Sequence, residues 1–296
     1  MPRTSKLKSF SDALAPIKDG CFLAIGGLWF HNKPMAAIRE LIHRGVRDLT
    51  LMGAPPSSFD SDLLIGAGAV KKAYLAHVSF EHLGLAPNFR RAVERGEIEL
   101  CECDEASLLG GLMATLEGLP YHAVTSLKGT DHLRRSPLMQ AQARGSVAIP
   151  ELRPDVAILH AQEADEYGNV RCFGAPFCDV ILAKAAAHVI VTVDRLVSNE
   201  EIRSAPHRTT IPGYLVNAVM EAPYGAHPCS SHGQYTHDEQ HMRNYIAASN
   251  AAITGREPRA YGDYLRRFIF DCASHDDYLK AIGAPEVFDS LAGSVD

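Results

Sequence analysis

Apolar runs separated by amphipathic stretches recur along most of this chain. Residues 21–25 (Cys-Phe-Leu-Ala-Ile) form an unbroken apolar run, the pattern of a strand buried on both faces. Gly26-Gly27 closes it, and Pro34 opens a helix expected over 35–43. Runs at 48–52, 73–78, 154–160 and 189–193 repeat the strand signature, and Gly53-Ala54-Pro55-Pro56 stops the first of these. Helical spacing falls between them at 60–67, 88–95 and 178–187, after a short amphipathic opening at Phe10, Leu14 and Ile17. Residues 165–170 read as a turn into a short strand.

The stretch 96–111 changes period midway. Polar and apolar positions nearly alternate from Glu97 to Cys103, with one slip at Leu100-Cys101. Leu108, Leu109, Leu112 and Leu116 then repeat at helical spacing over 105–119. We therefore expect a central strand that turns into a helix at Asp104-Glu105. From about Leu215 the pattern thins around Pro223, Gly225 and Pro228, and helices follow at 238–248, 261–270 and 275–281. Strands alternating with helices predict an α/β fold: a mainly parallel sheet with helices on both faces and right-handed crossovers. With no repeat or low-complexity linker, residues 1–296 read as a single domain in which 237–296 form a helical C-terminal extension.

Composition narrows the class. The 296 residues are 46% hydrophobic and 22% charged, ordinary for a globular protein with a sizeable core. A net charge of −6 with no basic stripe argues against nucleic acid as the main partner. No apolar segment follows Met1-Pro2-Arg3-Thr4-Ser5-Lys6, and the strongest apolar run, 180–193, is interrupted by Lys184 and His188. Neither a signal peptide nor a membrane span is expected, so a soluble cytoplasmic protein is. Of seven cysteines only Cys101 and Cys103 are close together, with no second pair to complete a metal site; reduced thiols are expected.

Candidate chemistry gathers at the carboxyl ends of the strands, where open α/β sheets bind ligands. Asp104 suits an N-cap and Glu105 complements the positive end of a helix dipole; capping alone accounts well for Asp104 and only tolerably for Glu105. From spacing alone capping remains the first reading of both, and Glu105 is a candidate catalytic carboxylate beside it. Gly26 and Gly27 either let a ligand approach the backbone or form a plain tight turn. The irregular Lys128-Gly129-Thr130-Asp131-His132 loop and His160, at the end of a predicted strand, are further candidates. His237 and His241 have zinc-ligand spacing, with His227, Cys229 and His232 nearby, but no third ligand is evident and a polar helix start explains them better. There is no G-x-S-x-G, Walker loop or G-x-G-x-x-G, and nothing beside Cys101 or Cys103 would activate a thiol. The residues alone indicate an α/β enzyme, or enzyme subunit, with a carboxylate at the sheet edge.

Several segments together resemble the alpha subunit of the two-subunit, class I CoA-transferase family, of glutaconate type. They are Ala24-Ile25-Gly26-Gly27 through Pro34-Met35-Ala36, Pro154 through Gln162 with Ala164-Asp165 and Tyr167-Gly168-Asn169-Val170, Ala183-Lys184-Ala185-Ala186, and Ile211-Pro212-Gly213 through Pro223-Tyr224-Gly225-Ala226-His227-Pro228. Within the family the chain is most similar to the branch of cholesterol ring-cleaving hydrolases. The resemblance implies a beta-subunit partner in an α2β2 assembly, and an acyl-CoA substrate bound between unlike subunits. It also implies hydrolytic opening of a cyclic β-keto thioester, with Glu105 as general base. Gly26, Gly27, Lys128, Gly129, Thr130 and His160 would help bind substrate; no metal or redox cofactor is implied, coenzyme A entering as part of the substrate. The alternatives are a true CoA transferase, whose covalent glutamate would lie on the partner, and a non-catalytic acyl-CoA-binding subunit. With a net charge of −6, a CoA ligand would require a local positive pocket or help from another chain.

Overall fold

The structure is a computed structural model describing residues 3–125, 127–136, 140–141 and 145–292. The first two and last four positions of the expected domain lie outside the described residues. The strands are β1 (Phe22–Ile25), β2 (Leu49–Gly53), β3 (Val70–Leu75), β4 (Glu99–Glu102), β5 (Tyr121–Val124), β6 (Gln140–Ala141), β7 (Val147–Pro150), β8 (Val156–Ala164), β9 (Val170–Arg171), β10 (His188–Leu196) and β11 (Ala218–Glu221). The helices are α1 (Phe10–Leu14), α2 (Met35–His43), α3 (Phe59–Gly66), α4 (Pro87–Glu94), α5 (Glu105–Glu117), α6 (His132–Arg135), α7 (Asp179–Ala185), α8 (Asn199–Ser204), α9 (Glu239–Ile253), α10 (Ala260–Leu265), α11 (His275–Ile282) and α12 (Glu286–Ala292).

The main sheet runs β11-β10-β8-β1-β2-β3-β4, parallel throughout, with β9 added antiparallel to β8. From β1 the chain builds outward through β2, β3 and β4; from β8 it builds the other way through β10 and β11. The winding therefore reverses between β1 and β8, where Ile25 faces Ile158, and a crevice opens beyond such a reversal. All nine residues of β8 are buried, as expected of a strand covered on both faces.

Two apolar layers cover the sheet. One joins α2, α3 and α4 to the C-terminal helices through Phe59, Phe80, Tyr245 and Tyr264; the other holds Leu108 and Leu112 of α5 against Leu182 and Ala183 of α7. The C-terminal helices share the first core. Tyr245 of α9 packs 4.5 Å from Phe59, and its hydroxyl donates to the buried Asp62 carboxylate at 2.7 Å.

Three expectations need correction. The strand expected at the centre over 97–103 is β4, the sheet's edge, paired among the described residues with β3 alone. Its exposed Glu99, paired with Lys72 at 2.9 Å, is the kind of charge that suits an edge. The strand expected at 73–78 lies at Val70–Leu75, because Lys71 and Lys72 obscure the beginning of its pattern. His160 is not a strand end: β8 continues four residues beyond it to Ala164. Unforeseen features are the small antiparallel sheet β5-β7-β6 and the short edge strand β11. Among the described residues no helix is long and apolar enough to cross a membrane.

Candidate functional site

The β4–α5 junction separates two neighbouring carboxylates by what they touch. Asp104 is the N-cap: its Oδ1 accepts from the Ser107 N–H and hydroxyl, both at 2.8 Å, and the Ser107 hydroxyl accepts from the Asp104 N–H at 2.9 Å. This reciprocal box fixes the first turn of α5. Glu105, the first residue of that turn, is exposed, and its side chain makes no hydrogen bond or ion pair with any described residue. Its helix packs on α7, whose first residue, Asp179, accepts from the Gly27 N–H. The Glu105 charge adds, after burial and the Asp179 carboxylate, to the upward push that takes the Cys178 thiol to about 12, against the opposing pull of Lys33. Packing of α5 on α7 produces this approach.

At the reversal, the Gly26-Gly27 turn is held by buried charge. The Gly27 N–H donates to Asp179 Oδ1 at 2.8 Å, and the Lys33 ammonium reaches the Gly27 carbonyl at 3.4 Å. Lys33 also pairs with Asp60 at 3.3 Å, both side chains wholly buried. Burial raises the Asp179 carboxyl above its ordinary range, outweighing the Gly27 N–H, Lys33 and His160. A methyl group on Gly26 would lie 2.2 Å from Asp179 Oδ1, and Gly27 has φ +79° with backbone oxygens 2.6 Å from where its Cβ would be. Close packing and a left-handed turn thus account for both glycines. Their N–H groups are not free to bind substrate in this conformation, since that of Gly26 is also committed, to the Ile158 carbonyl at 3.0 Å. The same loop keeps one buried donor in reserve: the Trp29 indole N–H has no acceptor among the described residues.

His160 is wholly buried, so its expected direct contact with substrate is closed off in this conformation. Its Nδ1 lies 2.9 Å from the Thr192 hydroxyl and its Nε2 3.3 Å from Asp194 Oδ2, which also accepts from the Ser231 hydroxyl. Gln162 continues the network, donating to Asn32 Oδ1 at 2.8 Å and to Ser231 Oγ at 2.9 Å while accepting from the Phe173 N–H at 2.6 Å. The other Asp194 oxygen, Oδ1, is buried with no donor among the described residues. Trp29 Nε1 and Asp194 Oδ1 are thus buried near the reversal without partners among the described residues, as is the Ser58 hydroxyl, whose backbone N–H donates to Asp60.

Lys128, Gly129 and Thr130 are exposed, and both the N–H and the hydroxyl of Thr130 go to the Leu127 carbonyl, at 3.2 and 2.8 Å. Leu127 anchors this loop in the same apolar layer as α5, but no hydrogen bond or ion pair joins the loop to the reversal among the described residues. His237 precedes α9, whose N-cap is Asp238, so it does not share a helical face with His241. His237 instead gathers with His82 and Glu239, and His241 with His227 and Asp238. In the second group the Tyr278 hydroxyl lies 2.7 Å from His227 Nδ1 and the Tyr264 hydroxyl 2.7 Å from His241 Nε2, the bonding of a satisfied core. Burial raises Cys101, and takes Cys103 to about 12, so neither is an activated thiol.

Sequence reasoning missed Lys33, Asp60, Asp179 and Asp194. Their one sequence signal is charge inside or beside apolar runs, and only the fold brings them together.

Residues 7–222 match the family described as Coenzyme A transferase. The chain is 36% identical over 282 residues to an uncharacterized protein of Archaeoglobus fulgidus, covering 93% of itself and only 61% of that protein. It is 32% identical over 305 residues to one of the subunits of glutaconate CoA-transferase from Acidaminococcus fermentans, covering 95% of this chain and 92% of its relative. It is also 32% identical over 297 residues to the cholesterol ring-cleaving hydrolase IpdA subunit of Rhodococcus jostii, covering 95% and 96%. The crystal structure of glutaconate coenzyme A-transferase from Acidaminococcus fermentans superposes with a TM-score of 0.89 at 30% identity, covering 97% of this chain and 95% of that chain. Sequence and fold agree, and the chain belongs to the coenzyme A transferase family.

Proposed function

We propose that this chain is the alpha subunit of a heteromeric acyl-CoA enzyme, an α2β2 assembly with a beta subunit, that opens a cyclic β-keto thioester by hydrolysis. The observation that carries the reading is Glu105: an exposed carboxylate, unpaired among the described residues, at the start of a helix that packs on α7. Names borne by relatives that the chain matches over nearly its full length, one an IpdA subunit of a ring-cleaving hydrolase, support it.

In the proposed reaction Glu105 takes a proton from water as the oxygen attacks the ring ketone. The tetrahedral intermediate collapses, the ring C–C bond breaks, and its electron pair passes to the carbon alpha to the thioester as an enolate. Proton return from Glu105 to that carbon leaves a new carboxylic acid and an intact CoA thioester. General bases of this kind contribute on the order of 10² to 10⁴-fold. Two developing oxyanions need donors. The Trp29 indole N–H is one buried donor without an acceptor among the described residues, and the partner would supply others.

The second reading is CoA transfer, favoured by equal identity to a glutaconate CoA-transferase. Co-expression with the beta subunit, followed by reaction of a ring-ketone acyl-CoA in H₂¹⁸O, separates the two. Hydrolytic opening places ¹⁸O in the new carboxyl group while CoA stays attached. Movement of CoA to an added free acid, with the ring intact, would establish transfer instead.

A further inference from the structure

A cavity of about 320 Å³ lies on the sheet face away from α5, bounded by α1, α2, α11 and the helical turn Arg266–Phe270. Its size is at the lower end for small-molecule sites. Phe10, Ala36, Phe268 and Ile269 give it apolar walls. Arg39 of α2, only 7% exposed, lines it too.

The bonding of Arg39 leaves its charge uncompensated. Nη1 donates to the His227 carbonyl at 2.7 Å, Nη2 lies 3.4 Å from His275 Nδ1, and the guanidinium sits 3.5 Å from the centre of the Tyr278 ring. These partners are neutral, and no carboxylate pairs with Arg39 among the described residues. A guanidinium remains charged at any physiological pH, and a charge buried without a counter-ion is unfavourable. Its field reaches its neighbours: burial first, then Arg39, brings His275 down to about 4. Glu40 also lines the cavity without pairing to Arg39, so it disfavours a multiply charged anion there. The remaining complement is a single negative charge on an apolar body.

We propose that this cavity binds a small organic monocarboxylate, its carboxylate on Arg39 and its apolar body against Phe10, Phe268 and Ile269. The site lies across the sheet from Glu105 and does not depend on which reaction the enzyme performs.

Calorimetric titration of the full chain, co-purified with its partner subunit, tests this with benzoate, neutral benzamide and inorganic phosphate. Saturable benzoate binding is expected below about 10 mM, with benzamide and phosphate at least about tenfold weaker. Arg39→Met should weaken benzoate by at least about tenfold. Ala36→Leu retains the charge but fills the cavity, and should also abolish binding without lowering the melting temperature by more than a few degrees. Should Arg39→Met fail to fold, Ala36→Leu decides. Benzoate that does not saturate the wild type, phosphate or benzamide binding as tightly, or benzoate binding retained in Ala36→Leu would each overturn the proposal.

Discussion

The carboxylate of Asp104 accepts two hydrogen bonds from Ser107, whereas that of Glu105, one residue on, accepts none from any described residue. Replacing Asp104 by Ala should therefore cost about 1 kcal/mol, as loss of an N-cap does, and lower the melting temperature without abolishing turnover. A capping role is local, and for that reason Asp104 was legible from the sequence. The charges around Gly27 were not legible, because Lys33 lies in the loop before α2, Asp60 in α3 and Asp179 in α7, and they meet only when these segments assemble. Gly26→Ala tests that assembly. Its methyl would meet Asp179 Oδ1 and the Leu159 side chain at 2.2 and 2.5 Å, so destabilisation of about 1–3 kcal/mol is expected in chemical denaturation.

At the scale of elements, α11 is docked by ionisable groups. His275 reaches the Pro223 carbonyl at 2.8 Å, and Tyr278 bonds the buried His227. Burial lowers both histidines, with His275 at about 4 against an ordinary 6.5. Between those values the unfolded segment binds more protons than the folded one. The docking contribution is therefore full above pH 6.5 and is lost as pH falls toward 4. Hydrogen exchange should show faster opening of the α11 amides at about pH 5 than at about pH 7.5, and His275→Gln should flatten that dependence. The measurement has to be local, because Asp62 and Asp179 are shifted upward and contribute with the opposite sign elsewhere. Periodicity revealed α5, β8 and β10 because each is long or uniformly buried. It hid β11, four residues whose strand partner is the distant β10, and β5 with β7, which pair although 22 residues separate Val124 from Val147. It also placed β4 at the centre, since a half-buried alternation looks the same at an edge as inside a sheet.

Over the whole molecule, the doubly wound order explains why α5 and the Gly26-Gly27 turn belong to one neighbourhood although β4 is the outermost strand. α5 packs on α7, and α7 begins at the residue whose carboxylate holds Gly27. The family resemblance spanned the chain from Ala24 to Pro228 and led to the fold that superposition on glutaconate coenzyme A-transferase shows. Reaction type was less legible, because the partner would supply part of the site.

The most direct test is the single-turnover rate of ring opening by the assembled heteromer carrying Glu105→Gln. We predict a fall on the order of 10² to 10⁴-fold in the chemical step, with assembly, melting temperature and acyl-CoA affinity unchanged. A rate within a few-fold of the wild type would remove Glu105 from the chemistry and, with it, the proposed mechanism.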